Sequence, residues 1–332
     1  MEYKMCCCVE TRFFFSLEGD NMTRGTEFWS EYIVHIPTPE AFDGKAREKA
    51  ELLADVRYLL LVGSLMRPRR LAKLAEEKFG LKHIGTYFNI AEDYEICDRE
   101  YCVEVVDLGL KSGEKMAIVS HGIGGSGAEI VIKEMRALIH WSNAYLGNDE
   151  SKVQVRCVGR SGTRGTIGDV AYGTVGISTV SYNDAFDVAV PNPELNQLVV
   201  ECAKKLEIPY ALGPVASTNY FWFGQGRHVP NEGYVPTHIV NTRAQRAQDK
   251  LWRFVERGVV FLEMEDYTVH SVCHELGIAS ASVGCVIARR FDYKKGEFII
   301  DYDPTAKAKA ELLPAQAIIT AFIEHAKSFH AE

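Results

Sequence analysis

Apolar residues in this chain come in short dense runs separated by amphipathic stretches. RYLLLVG (57–63) and KMAIVSHG (115–122) are apolar along most of their length, the pattern of strands covered on both faces. KVQVRCVG (152–159), DVAYGTVGIS (169–178), YALGPVAS (210–217), VVFLEME (259–265) and ASVGCVIA (281–288) read as further strands, with shorter strand-like segments at 83–90, 94–97 and 101–107. Helical patterns are predicted at 44–53, 67–80, 128–141, 193–206, 250–258, 266–277 and 306–327. In RPRRLAKLAEEKFG (67–80), Leu71 and Leu74 share the inner face, Pro68 suits the first turn and Gly80 the end. Residues 224–248 are polar and rich in Gly, Asn, Thr and Arg, and read as a long functional loop.

Strands alternate with helices and no change of composition divides the chain. The expected fold is α/β: a single domain over 31–332, with a central buried sheet and helices on both faces, preceded by an irregular extension over 1–30.

Composition narrows the function. The chain has 332 residues, of which 47% are hydrophobic and 25% charged, so a large core is available. A net charge of -8 argues against a general nucleic-acid or anionic-membrane binder, and leaves room for a local basic pocket. No apolar run approaches the ~20 residues that span a bilayer. The N-terminal segment lacks a signal-peptide layout. Nine scattered cysteines, Cys6-Cys7-Cys8 among them, fit reduced thiols and a cytoplasmic location.

SHGIGGSGAEI (120–130) spells Gly122-x-Gly124-x-x-Gly127 between a strand and a helix, the form of a dinucleotide-binding turn. That reading requires an acid at the end of the next strand, about 20 residues on. The next strand ends instead at Val158-Gly159-Arg160, much further along. The glycines therefore read as a tight strand-to-helix turn, and an NAD(P)-dependent oxidoreductase is the remote alternative. His270 and His274 are four apart on one helix, but no HExxH order or third ligand makes a zinc site of them.

Other motifs occur in a telling order. They are VGSLMR (62–67), SHGIGGSG (120–127), VGRSGT followed by IGDV (158–170), FWFGQGR (221–227), FLEMED (261–266) and VGCVIAR (283–289). Together they resemble the uridine phosphorylases of the nucleoside phosphorylase superfamily, from about residue 32 to residue 325. The resemblance implies a mixed, partly barrel-like central sheet within the three-layer αβα sandwich. It implies phosphorolysis of uridine to uracil and ribose 1-phosphate, with deoxyuridine or thymidine as further substrates. It implies inorganic phosphate as co-substrate and no organic cofactor.

The residue chemistry is consistent with that activity. Arginine donates two parallel bonds to a phosphate, and a glycine turn lets backbone N–H groups approach it. Gly63 and Arg67 supply both. A carboxylate accepts from two adjacent ribose hydroxyls, and a glutamine amide matches the donor and acceptor of a uracil edge.

By resemblance, Glu265 holds the ribose hydroxyls beside Glu263 and Met264. Gln225 and Arg227 read the base, Phe221 lines its pocket, and Arg289 stabilises the charge developing on it. His35 reaches the sugar of a neighbouring subunit and Arg99 its phosphate, so the resemblance implies a homodimer with shared sites. An interface cation, potassium or calcium, would lie at Glu100, Ile123 and Ser126.

The chain departs from the family pattern after residue 155. A threonine that touches phosphate is replaced by Arg160, Cys157 stands where a phosphate arginine is usual, and Arg156 lies one place earlier. A one-residue shift in a strand turns a side chain to the other face. Arg156 is therefore expected to miss the site and Arg160 to replace the charge. A nucleosidase or a non-catalytic nucleoside-binding protein of the same fold are the nearer alternatives.

Overall fold

The computed structural model describes residues 25–97, 100–149, 153–221, 225, 237–292 and 295–329. In chain order its elements begin with α1 (Gly25–Ser30), a 3-10 turn (Pro39–Ala41), α2 (Ala46–Leu53), β1 (Val56–Val62), α3 (Arg67–Phe79), β2 (Lys82–Asn89) and α4 (Ile90–Asp93). Next come β3 (Cys102–Asp107), β4 (Lys115–Ser120), α5 (Gly125–Tyr145), β5 (Cys157–Thr166), β6 (Val175–Tyr182), β7 (Val188–Ala189), α6 (Pro193–Lys205) and β8 (Tyr210–Ser217). The chain continues through α7 (Thr237–Glu256), β9 (Phe261–Glu263), α8 (Asp266–Glu275), β10 (Ala279–Asp292), β11 (Glu297–Tyr302), α9 (Pro304–Ala310) and α10 (Leu313–Ser328).

The sheet runs β11-β10-β6-β8-β9-β5-β1-β4-β3-β2, with β7 beside β6. An additional parallel pairing of β10 with β5 closes β5, β9, β8, β6 and β10 into a ring. The sheet is thus a five-strand barrel with an extension through β1 and β4, both parallel to β5.

The apolar runs explain this arrangement. In β1, Tyr58, Leu60 and Val62 enter one core cluster with Leu71, Val199, Ile318 and Phe322, whereas Leu59 and Leu61 enter another with Ile132, Met135 and Val269. Alternate side chains thus feed two cores on opposite faces, one under α3, α6 and α10, the other under α5 and α8. Burying each such leucine contributes about 1.5–3 kcal/mol, which fixes the strand between the helical layers. Gly80 ends α3 in the left-handed conformation, and its N–H reaches the carbonyls of Ala75 and Glu76. The Asn192 side chain caps α6 at Leu195 N–H, 2.8 Å away.

Several expectations are corrected. The strand read at 152–159 starts at Cys157 and continues to Thr166, and the one read at 169–178 starts at Val175. Residues 94–97 form no strand, because the turn that follows α4 occupies 94–96. The C-terminal part of the presumed loop over 224–248 belongs to α7, and the helix read over 306–327 divides into α9 and α10. Residues 25–30 are helical, with Trp29 buried and stacked on His140 of α5. Cys6, Cys7 and Cys8 lie outside the described residues. No described helix is long and apolar enough to cross a membrane.

Candidate active site

A cavity of about 670 Å³ opens where the C-terminal ends of β1 and β4 meet the barrel wall. Ligands of open α/β sheets bind at such strand ends. Gly63, Ser64 and Arg67 follow β1; Gly122 and Ile123 follow β4; Arg160 and Arg164 belong to β5; Glu263, Met264 and Glu265 end β9. All of them line the cavity, as do Phe221 and Gln225.

Its floor is a charge network. Arg160 is 4% exposed, and its Nη1 lies 3.0 Å from Asp266 Oδ1 and 3.3 Å from Glu263 Oε2, while Nη2 donates to Glu265. Arg164, four residues along the strand, donates to Asp266, to Ser178, to Ser282 Oγ at 3.1 Å and to the Gly176 carbonyl at 3.0 Å. Two glycines make the space. A Cβ on Gly162 would stand 2.8 Å from the Arg160 guanidinium, and one on Gly284 would stand 2.5 Å from Arg164 Cγ. The polar, glycine-rich run GRSGTRGT is therefore the inner wall of the barrel, and its lack of apolar residues is why the strand looked as though it ended early.

The three acids of this network are pushed in different directions. Burial disfavours ionisation of Glu265, but Arg160, His121 and the Gly124 amide outweigh it and lower its pKa. Asp266 is likewise held well below the usual carboxylate range, burial being outweighed by Arg164 and Arg160. Burial and then the neighbouring Asp266 push Glu263 upward. Glu263 also braces the turn: its Oε2 accepts the N–H groups of Glu265 at 2.6 Å and Asp266 at 2.9 Å.

The glycine motif now has a use. Gly122 and Gly124 adopt φ of 76° and 98°, which only glycine takes readily. The turn points Gly124 N–H at Glu265 Oε1, 2.7 Å away. Glu265 is thus fixed from two sides, by a backbone amide and by Arg160, with lone pairs remaining on both oxygens.

Arg67 opens α3 and is 7% exposed. Its Nη2 lies 3.6 Å from Glu311 Oε2, at the end of α9. Burial lowers its pKa, Glu311 opposes the shift, and Arg160 and Arg70 add to it. A guanidinium under that pressure is eased by an incoming anion.

A model of the phosphorylase superfamily matches residues 58–324. The chain belongs to this superfamily. The uridine phosphorylase of Thermococcus kodakarensis is 25% identical over 272 residues, which cover 80% of this chain and 86% of the relative. The uridine phosphorylase of Escherichia coli is 27% identical over 188 residues, 54% of this chain and 65% of the relative. Among solved structures, purine nucleoside phosphorylase from Toxoplasma gondii in complex with immucillin-H aligns with a TM-score of 0.55 at 20% identity, covering 84% of this chain and 94% of that one. The barrel-centred α/β architecture is therefore that of a nucleoside phosphorylase.

Within this superfamily fold, most of the expected site residues converge. Gly63, Arg67, Arg160, Phe221, Gln225, Glu263, Met264 and Glu265 share the cavity. Arg289 does not line it. Its guanidinium stacks on Tyr172, 5.5 Å from the ring centroid, and Arg290 lines the wall instead. A register shift against β5 falls between Val286 and Ala288, just before this pair. Arg156 turns away, as its one-place shift predicts. It pairs with Glu114 and lies 4.2 Å above the Phe329 ring.

His35 sits outside the cavity, its Nδ1 2.6 Å from Glu134 Oε1 and its backbone N–H 2.8 Å from Oε2. Glu100 and Ser126 are exposed, and Ile123 is 79% exposed at the cavity rim. No group of three His, Cys, Asp or Glu able to hold a metal ion occurs among the described residues. His270 is buried against Ser280 while His274 is exposed, so the two do not converge. Arg99 and Arg227 lie outside the described residues.

Sequence reasoning missed four residues of this region: Arg164, Arg290, Lys307 and His121. Arg164 lay beyond the presumed strand end, Arg290 beyond the bulge, and Lys307 on a helix read as part of a longer one. His121 was hidden inside the glycine motif.

Proposed function

We propose that this chain cleaves uridine with inorganic phosphate, giving uracil and ribose 1-phosphate. The observation that carries the reading is the single cavity joining a glycine–arginine turn (Gly63, Arg67), a pinned carboxylate (Glu265) and a Phe–Gln pair (Phe221, Gln225). These suit an anion, a ribose diol and a planar base respectively. The uridine phosphorylases among its relatives point the same way.

In this mechanism phosphate sits between Gly63, Arg67 and Arg160. One phosphate oxygen attacks C1′ as the C1′–N1 bond breaks, and the bonding electrons leave with uracil. Glu265, ionised, accepts from the ribose hydroxyls, and those bonds orient the sugar as positive charge develops on it. Gln225 hydrogen-bonds the base edge and Phe221 covers its face. Arg290, rather than Arg289, supplies the cation that stabilises the anionic uracil.

The active unit we propose is a homodimer. Apolar Val34, Met66 and Ile123 are 76%, 67% and 79% exposed, the last on the cavity rim, which suits cover by a second copy. His35, oriented by Glu134, would then serve the partner's sugar, and Arg99 its phosphate. Oxygen donors from Glu100, Ile123 and Ser126 of both copies would suit potassium or calcium.

The test is uracil release from uridine with and without phosphate, with the sugar product identified. Phosphate-dependent release with ribose 1-phosphate supports the reading. Release of free ribose without phosphate would make the protein a nucleosidase, and binding without turnover a sensor.

A further inference from the structure

We propose that His121 is a direct ligand of the phosphate co-substrate, its imidazole hydrogen-bonding the anion from beneath the Gly63 turn. The inference rests on the phosphorolytic reading and adds a residue to it.

His121 ends β4 beside the end of β1: its backbone N–H donates to the Val62 carbonyl at 2.9 Å. Its Cε1 lies 3.9 Å from where a Cβ on Gly63 would stand, so the ring abuts the turn that lines the cavity. The residue is 3% exposed, and Nδ1 and Nε2 are both buried without a hydrogen-bond partner. Leaving a buried polar group unpaired is unfavourable, so such a ring is usually completed by a ligand or water. Arg67, Arg160 and Glu265 all act electrostatically on it. Burial, opposed by Glu265 and reinforced by Arg160 and Arg67, brings its pKa down to about 4.

A neutral imidazole carries one N–H donor and one acceptor nitrogen. Phosphate near neutral pH offers acceptor oxygens and a P–OH donor, which matches both. Arg67 and Arg160 already bring positive charge to that wall, and a neutral donor orients the nucleophile without adding repulsion.

The test uses full-length protein and inorganic phosphate alone, without nucleoside. The ring ¹⁵N resonances of His121, assigned by their loss in His121→Asn, should shift on phosphate addition. Phosphate affinity should fall about tenfold in His121→Leu and recover in part in His121→Asn, whose amide keeps a donor. In the turnover assay the KM for phosphate should rise while that for uridine stays within twofold. If His121→Leu fails to fold, the wild-type resonances and the His121→Asn affinity decide. Unmoved resonances, or phosphate affinity unchanged in a folded variant, overturn the proposal. Should phosphate move these resonances in a protein that does not cleave uridine, the ligand role stands and the catalytic reading falls.

Discussion

Two arginines four residues apart, Arg156 and Arg160, have opposite surroundings. Arg156 lies just before the N-terminal end of β5, with 23% of its side chain exposed, and meets Glu114 and the face of Phe329. Arg160 lies within β5, its side chain 5% exposed, and meets Glu263, Glu265 and Asp266. Both are ion-paired arginines, yet they should behave differently. Water reaches Arg156 and screens its pair in part, although Glu114 itself is buried. In an enclosed network each group depends on its partners, and removing one leaves an uncompensated charge.

The largest test of this contrast is Asp266→Ala. It strips the carboxylate from Arg164, which is 1% exposed, and from Arg160. Urea denaturation should show a loss of about 3–5 kcal/mol. Gly284→Ala probes the space instead of the charge. Its Cβ would meet Arg164 Cγ at 2.5 Å, and the forced shift should cost about 1–3 kcal/mol by the same measurement.

Acid should act next. His121 and His270 are each lowered from 6.5 to about 4, first by burial. Below pH 6.5 the unfolded chain binds protons at these positions that the folded protein refuses. Their contribution to stability is therefore complete above pH 6.5 and is lost as pH falls toward 4. At pH 5 each should lose roughly 1–2 kcal/mol. The urea midpoint should fall over that window, and less steeply in His270→Asn. At the small end is Arg156→Ala, which deprives the buried Glu114 of one partly exposed partner and is expected to cost about 1–2 kcal/mol while leaving the site intact. A loss there as large as that of Asp266→Ala would break the comparison.

How much was legible follows the same division. β1 and β4 were readable because both faces meet apolar helices, so sequence and environment coincide. The barrel wall was not. GRSGTRGT alternates arginine with glycine because its inner face carries charge and its glycines make room for guanidiniums, a pattern that hydrophobic periodicity reads as a loop. Arg289 was named as the last position of a motif, and the structure stacks it on Tyr172 while its neighbour Arg290 lines the cavity. Glu265, Gln225 and Arg67 were found through motif order, whereas no apolar or charge pattern marks His121. A histidine at a strand end beside a glycine turn was the available signal.

Phosphorolysis is tested most directly by the phosphate dependence of uracil release, compared between the wild-type protein, Arg160→Ala and Arg156→Ala. Release from uridine should saturate with phosphate, with Arg156→Ala close to wild type. Arg160→Ala should lose on the order of 100-fold in kcat/KM, with the KM for phosphate raised, because the anion loses a cation and Glu265 loses its partner. Release independent of phosphate, or unchanged phosphate affinity in a folded Arg160→Ala, would contradict it.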